Sequence, residues 1–256
     1  MKKIFMLAGL FAAMSLPALA EEFCDSCQKA KVKSSINEAD YKITSASVTH
    51  NKKWGQLEFE IMVQGVAGRS VSKPAGQMNG APVDGYVFPT SLSSEDIGFS
   101  KTDGIVALAL TAHPDFDDTP LWDEDGDGDY ANDKIIWHPH WVVLVKDKRV
   151  PGGLSVKEFD PKDKTVVLPK TNPGMPMYMD SPGFQVVQEG KAIRVVVPDY
   201  RVRFKTSFKY DAVGAYMQIY TGEGGEHAAN GKMPMLGVYK VYSVLSKDLS
   251  LPYQVK

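Results

Sequence analysis

The chain has little of several things, and each shortage excludes something. It has two cysteines in 256 residues, Cys24 and Cys27. A disulfide-stapled scaffold is therefore excluded. No internal repeat appears, so a solenoid or propeller is excluded. No run after the first twenty residues is apolar enough to span a bilayer. No helix-length amphipathic segment alternates with the strand-like segments, which argues against a parallel α/β sheet. The catalytic signatures Gly-x-Ser-x-Gly and His-Glu-x-x-His are missing, as is a glycine-rich phosphate loop. An excess of positive charge is missing too. The formal net charge is −2, which disfavours nucleic acid or an anionic membrane as partner.

The first twenty residues read as an export signal. Lys2 and Lys3 precede a short apolar core, and Ala18, Leu19 and Ala20 form a small-residue cleavage site. Cleavage near Ala20 predicts a periplasmic or secreted chain of residues 21–256. Loss of Lys2 and Lys3 takes the formal charge from −2 to −4. A chain of this size supports one full hydrophobic core. We expect a single β-rich domain, with a subdivision near residues 150–165 as the second reading.

Cys24 and Cys27 read first as a local disulfide in an oxidising compartment. Two thiolates also suit Cu(I) or Zn(II) if other ligands join them. Gln28 stands where c-type haem attachment needs histidine. A redox pair needs a strand–helix setting, which the surrounding residues do not offer.

What the chain does have is strand pattern. Leu57, Phe59, Ile61 and Val63 alternate with polar residues, including Glu58 and Glu60, as in a half-buried strand. The run from Gly104 to Thr111 is continuously apolar and suits a central strand. Strands are also expected over 135–145, 192–197, 202–210, 215–220 and 238–245. Residues 25–40 are the best place for a short helix. Loops rich in glycine, proline, serine and asparagine fill 65–84 and 170–183. The expected fold is all-β: a sandwich of antiparallel strands with long loops and little helix.

One stretch stands apart. Nine carboxylates lie between Asp115 and Asp133, and three of the five histidines flank them: His113, His138 and His140. Within it, Asp123, Asp125, Asp127 and Gly128 fall at positions one, three, five and six of a loop that resembles the start of an EF-hand calcium loop. Asp129 would offer its carbonyl at seven, and Asp133 or Asn132 would complete the shell. Position twelve is Lys134 rather than glutamate, so the resemblance covers about seven residues and implies Ca²⁺ without an EF-hand fold.

His138 and His140 are two apart on an expected strand and so point to one face, with Trp137 and Trp141 on the other. His113 ends the apolar run and becomes a third ligand if the two strands pair. This predicts a copper or zinc site of His113, His138 and His140 with Asp115. Asp117 and Asp118 are alternatives, as ligands, as orienting partners or as general bases. Pro139 donates no ladder hydrogen bond, so this strand end is expected at an edge near solvent. Met175, Met177, Met233 and Met235 form two Met-x-Met pairs that suit Cu(I), or else fill the core. His50 and His227 read as surface residues.

Three functions compete at this level. The first is an exported metal-binding protein with a calcium-type loop and a histidine site. The second is a metal-dependent enzyme using water activated at that site. The third is a carbohydrate- or peptide-binding module built on Trp122, Tyr130, Trp137 and Trp141.

Overall fold

The computed structural model describes residues 36–118, 135–221 and 233–256. The described residues form an all-β, antiparallel structure with no α-helix, only short 3₁₀ turns. The strands are β1 (Ile43–Asn51), β2 (Gln56–Val63), β3 (Pro82–Pro89), β4 (Ile105–Ala112), β5 (His138–Lys146), β6 (Leu154–Val156) and β7 (Met179–Asp180). They continue with β8 (Val186–Glu189), β9 (Ala192–Pro198), β10 (Lys209–Tyr210), β11 (Val213–Ile219), β12 (Leu236–Val244) and β13 (Tyr253–Gln254). None of the helices is long and apolar enough to cross a membrane, among the described residues.

Two layers face each other, as a sandwich requires. One is an open sheet in the order β1-β2-β9-β8. The other runs β4-β3-β11-β12-β6-β5, with β7 paired beyond β5, and closes on itself because β4 also pairs β5. Closure removes both edges of that sheet and gives it an inside.

The sequence explains which strand sits where. On β2, Leu57, Phe59, Ile61 and Val63 are buried while the residues between them are half-buried. Glu60 on the outer face meets its cross-strand partner Arg194 on β9 in an ion pair. β4 needs apolar residues on both faces. Val106, Leu108, Leu110 and Ala112 pack into the core between the layers, whereas Ala107 and Ala109 belong to the core inside the barrel. Phe59 meets the barrel wall edge-on at Phe88 and Trp141, with ring centroids 5.2 and 6.3 Å apart. Both tryptophans of β5 and its approach, Trp137 and Trp141, are buried in this layer. They form no exposed platform. Trp122 and Tyr130 lie outside the described residues.

Several expectations change. The strand expected over 202–210 is mostly absent. A 3₁₀ turn occupies Asp199–Val202, and Arg203 and Phe204 follow with φ of 48° and 60°, a left-handed conformation that a strand cannot contain. Of the helix expected over 25–40, residues 25–35 lie outside the described residues. The rest holds one 3₁₀ turn, Glu38–Asp40, capped by the Asn37 side chain. Residues 150–165 contribute β6 to the barrel wall. His50 bonds Asp199 at 2.8 Å and is only partly exposed.

Candidate metal centre

The β4–β5 ladder builds the centre. Its register sets Ala109 opposite His140 and Thr111 opposite His138. Strand alternation then turns His138 and His140 to the inside of the barrel, and the inward series of Ala109 and Thr111 continues to His113. Past β4 the chain folds back. The His113 ring stacks on Phe116 with centroids 4.1 Å apart and planes 5° apart, and its Nδ1 lies 2.6 Å from the Phe116 carbonyl. This turn delivers Asp118 to the three imidazoles.

Nε2 of His113 and His138 are 2.9 Å apart. Oδ1 of Asp118 lies 3.1 Å from each of them and 3.5 Å from Nε2 of His140. The ligand atoms of all four residues fall within 4.8 Å of one another. For bonds of about 2.1 Å, separations of 2.9–3.1 Å correspond to angles of about 90° at a shared ion. All four residues are buried, with His113, His138 and His140 no more than 2% exposed. The solvent-near edge expected from Pro139 is therefore not found. Pro139 is itself buried and pairs Leu110. It lies two residues before Trp141, where the pairing of β5 with β7 begins, so the missing N–H does not interrupt that pairing.

The protons can be placed. Nδ1 of His113 faces the Phe116 carbonyl, and Nδ1 of His138 faces the Ile136 carbonyl at 2.8 Å. A carbonyl only accepts, so both Nδ1 atoms carry hydrogen. The Ser181 hydroxyl donates to the Asp118 carbonyl at 2.7 Å, and so accepts from Nδ1 of His140, 3.0 Å away. Each imidazole thus has its outer nitrogen bonded and its inner nitrogen turned to the common centre. Nε2 of His140 is buried without a hydrogen-bond partner.

Burial brings His140 down to about 3, so its ring is neutral. Burial also opposes charge on His113, but Asp118 and the Phe116 carbonyl hold its pKa above the ordinary histidine value. Asp118 is buried as well, yet the surrounding imidazoles keep its carboxyl well below the usual carboxylate range. The result is an ionised carboxylate among imidazoles, the donor set of a transition-metal site.

Asp115 does not join this group. Its carboxylate accepts from the amides of Ala75 and Gly76 at 2.8 and 2.7 Å. Ser181, which orients both Asp118 and His140, carries no sequence signal of its role, because it lies 63 residues beyond Asp118. Among the methionines, Met177 and Met235 are buried in the barrel core and Met175 packs against it; Met233 is half-buried. Asp123, Asp125, Asp127, Asp129, Asp133, Cys24, Cys27 and His227 lie outside the described residues.

In comparison with known proteins, the chain matches no family model, no curated protein and no solved structure.

Proposed function

We propose that this chain is a metal-binding protein whose centre is a first-row divalent transition ion held by His113, His138, His140 and Asp118. One observation carries the reading. Three buried imidazoles have their outer nitrogens committed to Phe116, Ile136 and Ser181, so their inner nitrogens converge beside the Asp118 carboxylate. A proton held between His113 and Asp118 serves only part of this cluster, and Nε2 of His140 has no hydrogen-bond partner. A cation that displaces the proton bonds all four groups at once, and outer-nitrogen hydrogen bonds of this kind are the usual support of histidine ligands. Three nitrogens and one carboxylate oxygen suit zinc or copper(II) better than the softer Cu(I).

Other parts of the reading rest on sequence. The leader of residues 1–20 supports export, and the spacing of Asp123, Asp125 and Asp127 supports a structural Ca²⁺. The test of the central claim is a titration of chelator-treated chain with zinc and copper(II). One equivalent binds in the wild type, and none binds tightly when His138 and His140 are both alanine. Equal uptake by the two proteins contradicts the proposal.

A further inference from the structure

Two turns lie side by side at one end of the open sheet. The β1–β2 hairpin turns through residues 51–55, and β9 runs into the 3₁₀ turn Asp199–Val202. Gln56 pairs Pro198, the Asp199 amide donates to the Gly55 carbonyl at 2.9 Å, and the Asp199 carboxylate bonds His50. The Phe204 amide then donates back to the Asp199 carbonyl at 2.8 Å. These bonds bring Trp54, Tyr200 and Phe204 to the same end of the sheet. All three stand in water, 67%, 64% and 72% exposed.

A single exposed apolar side chain is ordinary, but three aromatic residues on adjoining turns mark a contact surface. The backbone holds part of it in place. Arg203 and Phe204 have φ of 48° and 60°, a conformation that bulky residues rarely adopt, and strain of this kind gathers at functional sites.

The charge here is opposite to that of the chain. Lys52, Lys53, Arg203 and Lys205 are exposed beside the aromatic residues, and Lys53 Nζ sits 5.1 Å over the Trp54 ring. Arg201 instead meets Asp180 and the face of Phe184. Residues 50–55 and 199–205 together carry five cations against Asp199, a net of +4, in a chain whose formal net charge is −2. The 3₁₀ turn Ser94–Ile97 packs beside Asp199–Val202 and brings Glu95 and Asp96. Asp96 is bonded to the Ser93 amide.

We propose that this end of the open sheet docks on the headgroup layer of an anionic lipid bilayer. Trp54, Tyr200 and Phe204 enter the interface, and Lys52, Lys53, Arg203 and Lys205 meet the lipid phosphates. Trp and Tyr are the side chains that settle at headgroup depth, and each nearby Lys or Arg adds attraction to an anionic leaflet. Phe204 has no polar atom on its side chain to offer a sugar or a peptide, and it gains only by leaving water. The chain lies on the bilayer and does not span it. This inference is independent of the metal reading.

The experiment sediments the chain with mixed phosphatidylcholine–phosphatidylglycerol vesicles and, separately, with pure phosphatidylcholine vesicles. Binding to the mixed vesicles is expected to be about tenfold or more tighter, and to fall as salt rises from about 0.1 M to about 1 M. Lys52→Gln/Lys53→Gln weakens it by about tenfold or more. Trp54→Ala/Tyr200→Ala/Phe204→Ala also weakens it by about tenfold or more. Both variants change only exposed side chains and keep the wild-type circular dichroism. Every other residue is shared with the wild type, so the loss belongs to this patch. The emission of Trp54, taken as the difference between wild type and Trp54→Phe, moves to shorter wavelength on the mixed vesicles. No binding to the mixed vesicles, equal binding to the two vesicle types, or binding undiminished in the aromatic variant overturns the proposal. A chain that binds dextran sulfate but not the mixed vesicles also overturns it, and makes the patch a site for a soluble polyanion.

Discussion

The Ser181 hydroxyl lies 3.0 Å from Nδ1 of His140 and, through its own proton, holds the backbone of Asp118. One side chain, just past β7, thus sets the ring of one metal ligand and the position of another. Ser181→Ala removes both contacts and leaves the β4–β5 ladder intact. Loss of such an orienting partner typically weakens metal affinity by about 10–100-fold. Competition with a coloured chelator measures this directly. A variant with unchanged affinity and unchanged fold would show that Ser181 orients nothing that matters.

Asp118 and Asp115 are three residues apart and have different work. Asp118→Asn puts a neutral amide where an ionised oxygen faces Nε2 of His113, His138 and His140, and a large loss of metal affinity is expected. Asp115→Asn leaves one oxygen for two amides, those of Ala75 and Gly76. It should loosen that loop at a cost of about 1 kcal/mol or more, with metal stoichiometry unchanged. Stability curves and metal analysis on the two variants separate the roles.

These two aspartates also mark how far the sequence could be read. His138 and His140 were legible because strand alternation fixes their common face, and His113 because the apolar run before it demanded a partner strand. The choice among Asp115, Asp117 and Asp118 was not legible. It depends on a turn closed by the Phe116 carbonyl and by the stack of Phe116 on His113, and neither has a spacing rule. The half-buried strands were legible for the same reason as the histidines. The closure of the second sheet was not, since β3, β11, β12 and β6 must join β4 to β5 round the far side of the barrel, and no local pattern encodes those long-range pairings. Residues 202–210 failed for a third reason. Their apolar content suggested a strand, but Arg203 and Phe204 take positive φ, and Phe204 is 72% exposed.

The contact between the layers makes a plain stability prediction. Leu108 on β4 is fully buried between the barrel and the open sheet. Leu108→Ala deletes a core side chain there, and losses at such sites run at about 2–5 kcal/mol. Chemical denaturation gives the value. A cost under 1 kcal/mol would mean that the two layers are not packed as described.

Asp84 supplies a pH dependence away from the metal ligands. Burial pushes its carboxyl up to about 6, even though the Ser72 amide and hydroxyl bond it. Its folded pKa lies above its ordinary value of 3.8, so the protonated form is the one the fold favours. The contribution is therefore full below about pH 4 and is lost as pH rises through about 6. Asp84→Asn stays neutral, and its amide can donate to the Ser72 hydroxyl while its oxygen keeps the Ser72 amide. Relative to wild type it should gain on the order of 2–3 kcal/mol between pH 4 and pH 8. Thermal melts of both proteins at the two pH values test this, and a stability difference that does not grow with pH would contradict it.

The most direct test is elemental analysis of the chain purified without chelator, beside His138→Ala/His140→Ala prepared in the same way. The account predicts close to one zinc or copper ion per wild-type chain and none in the double variant, with the variant still folded by circular dichroism. A wild-type chain that takes up no transition metal, even when zinc and copper(II) are supplied, would contradict it, as would a double variant that keeps the full complement.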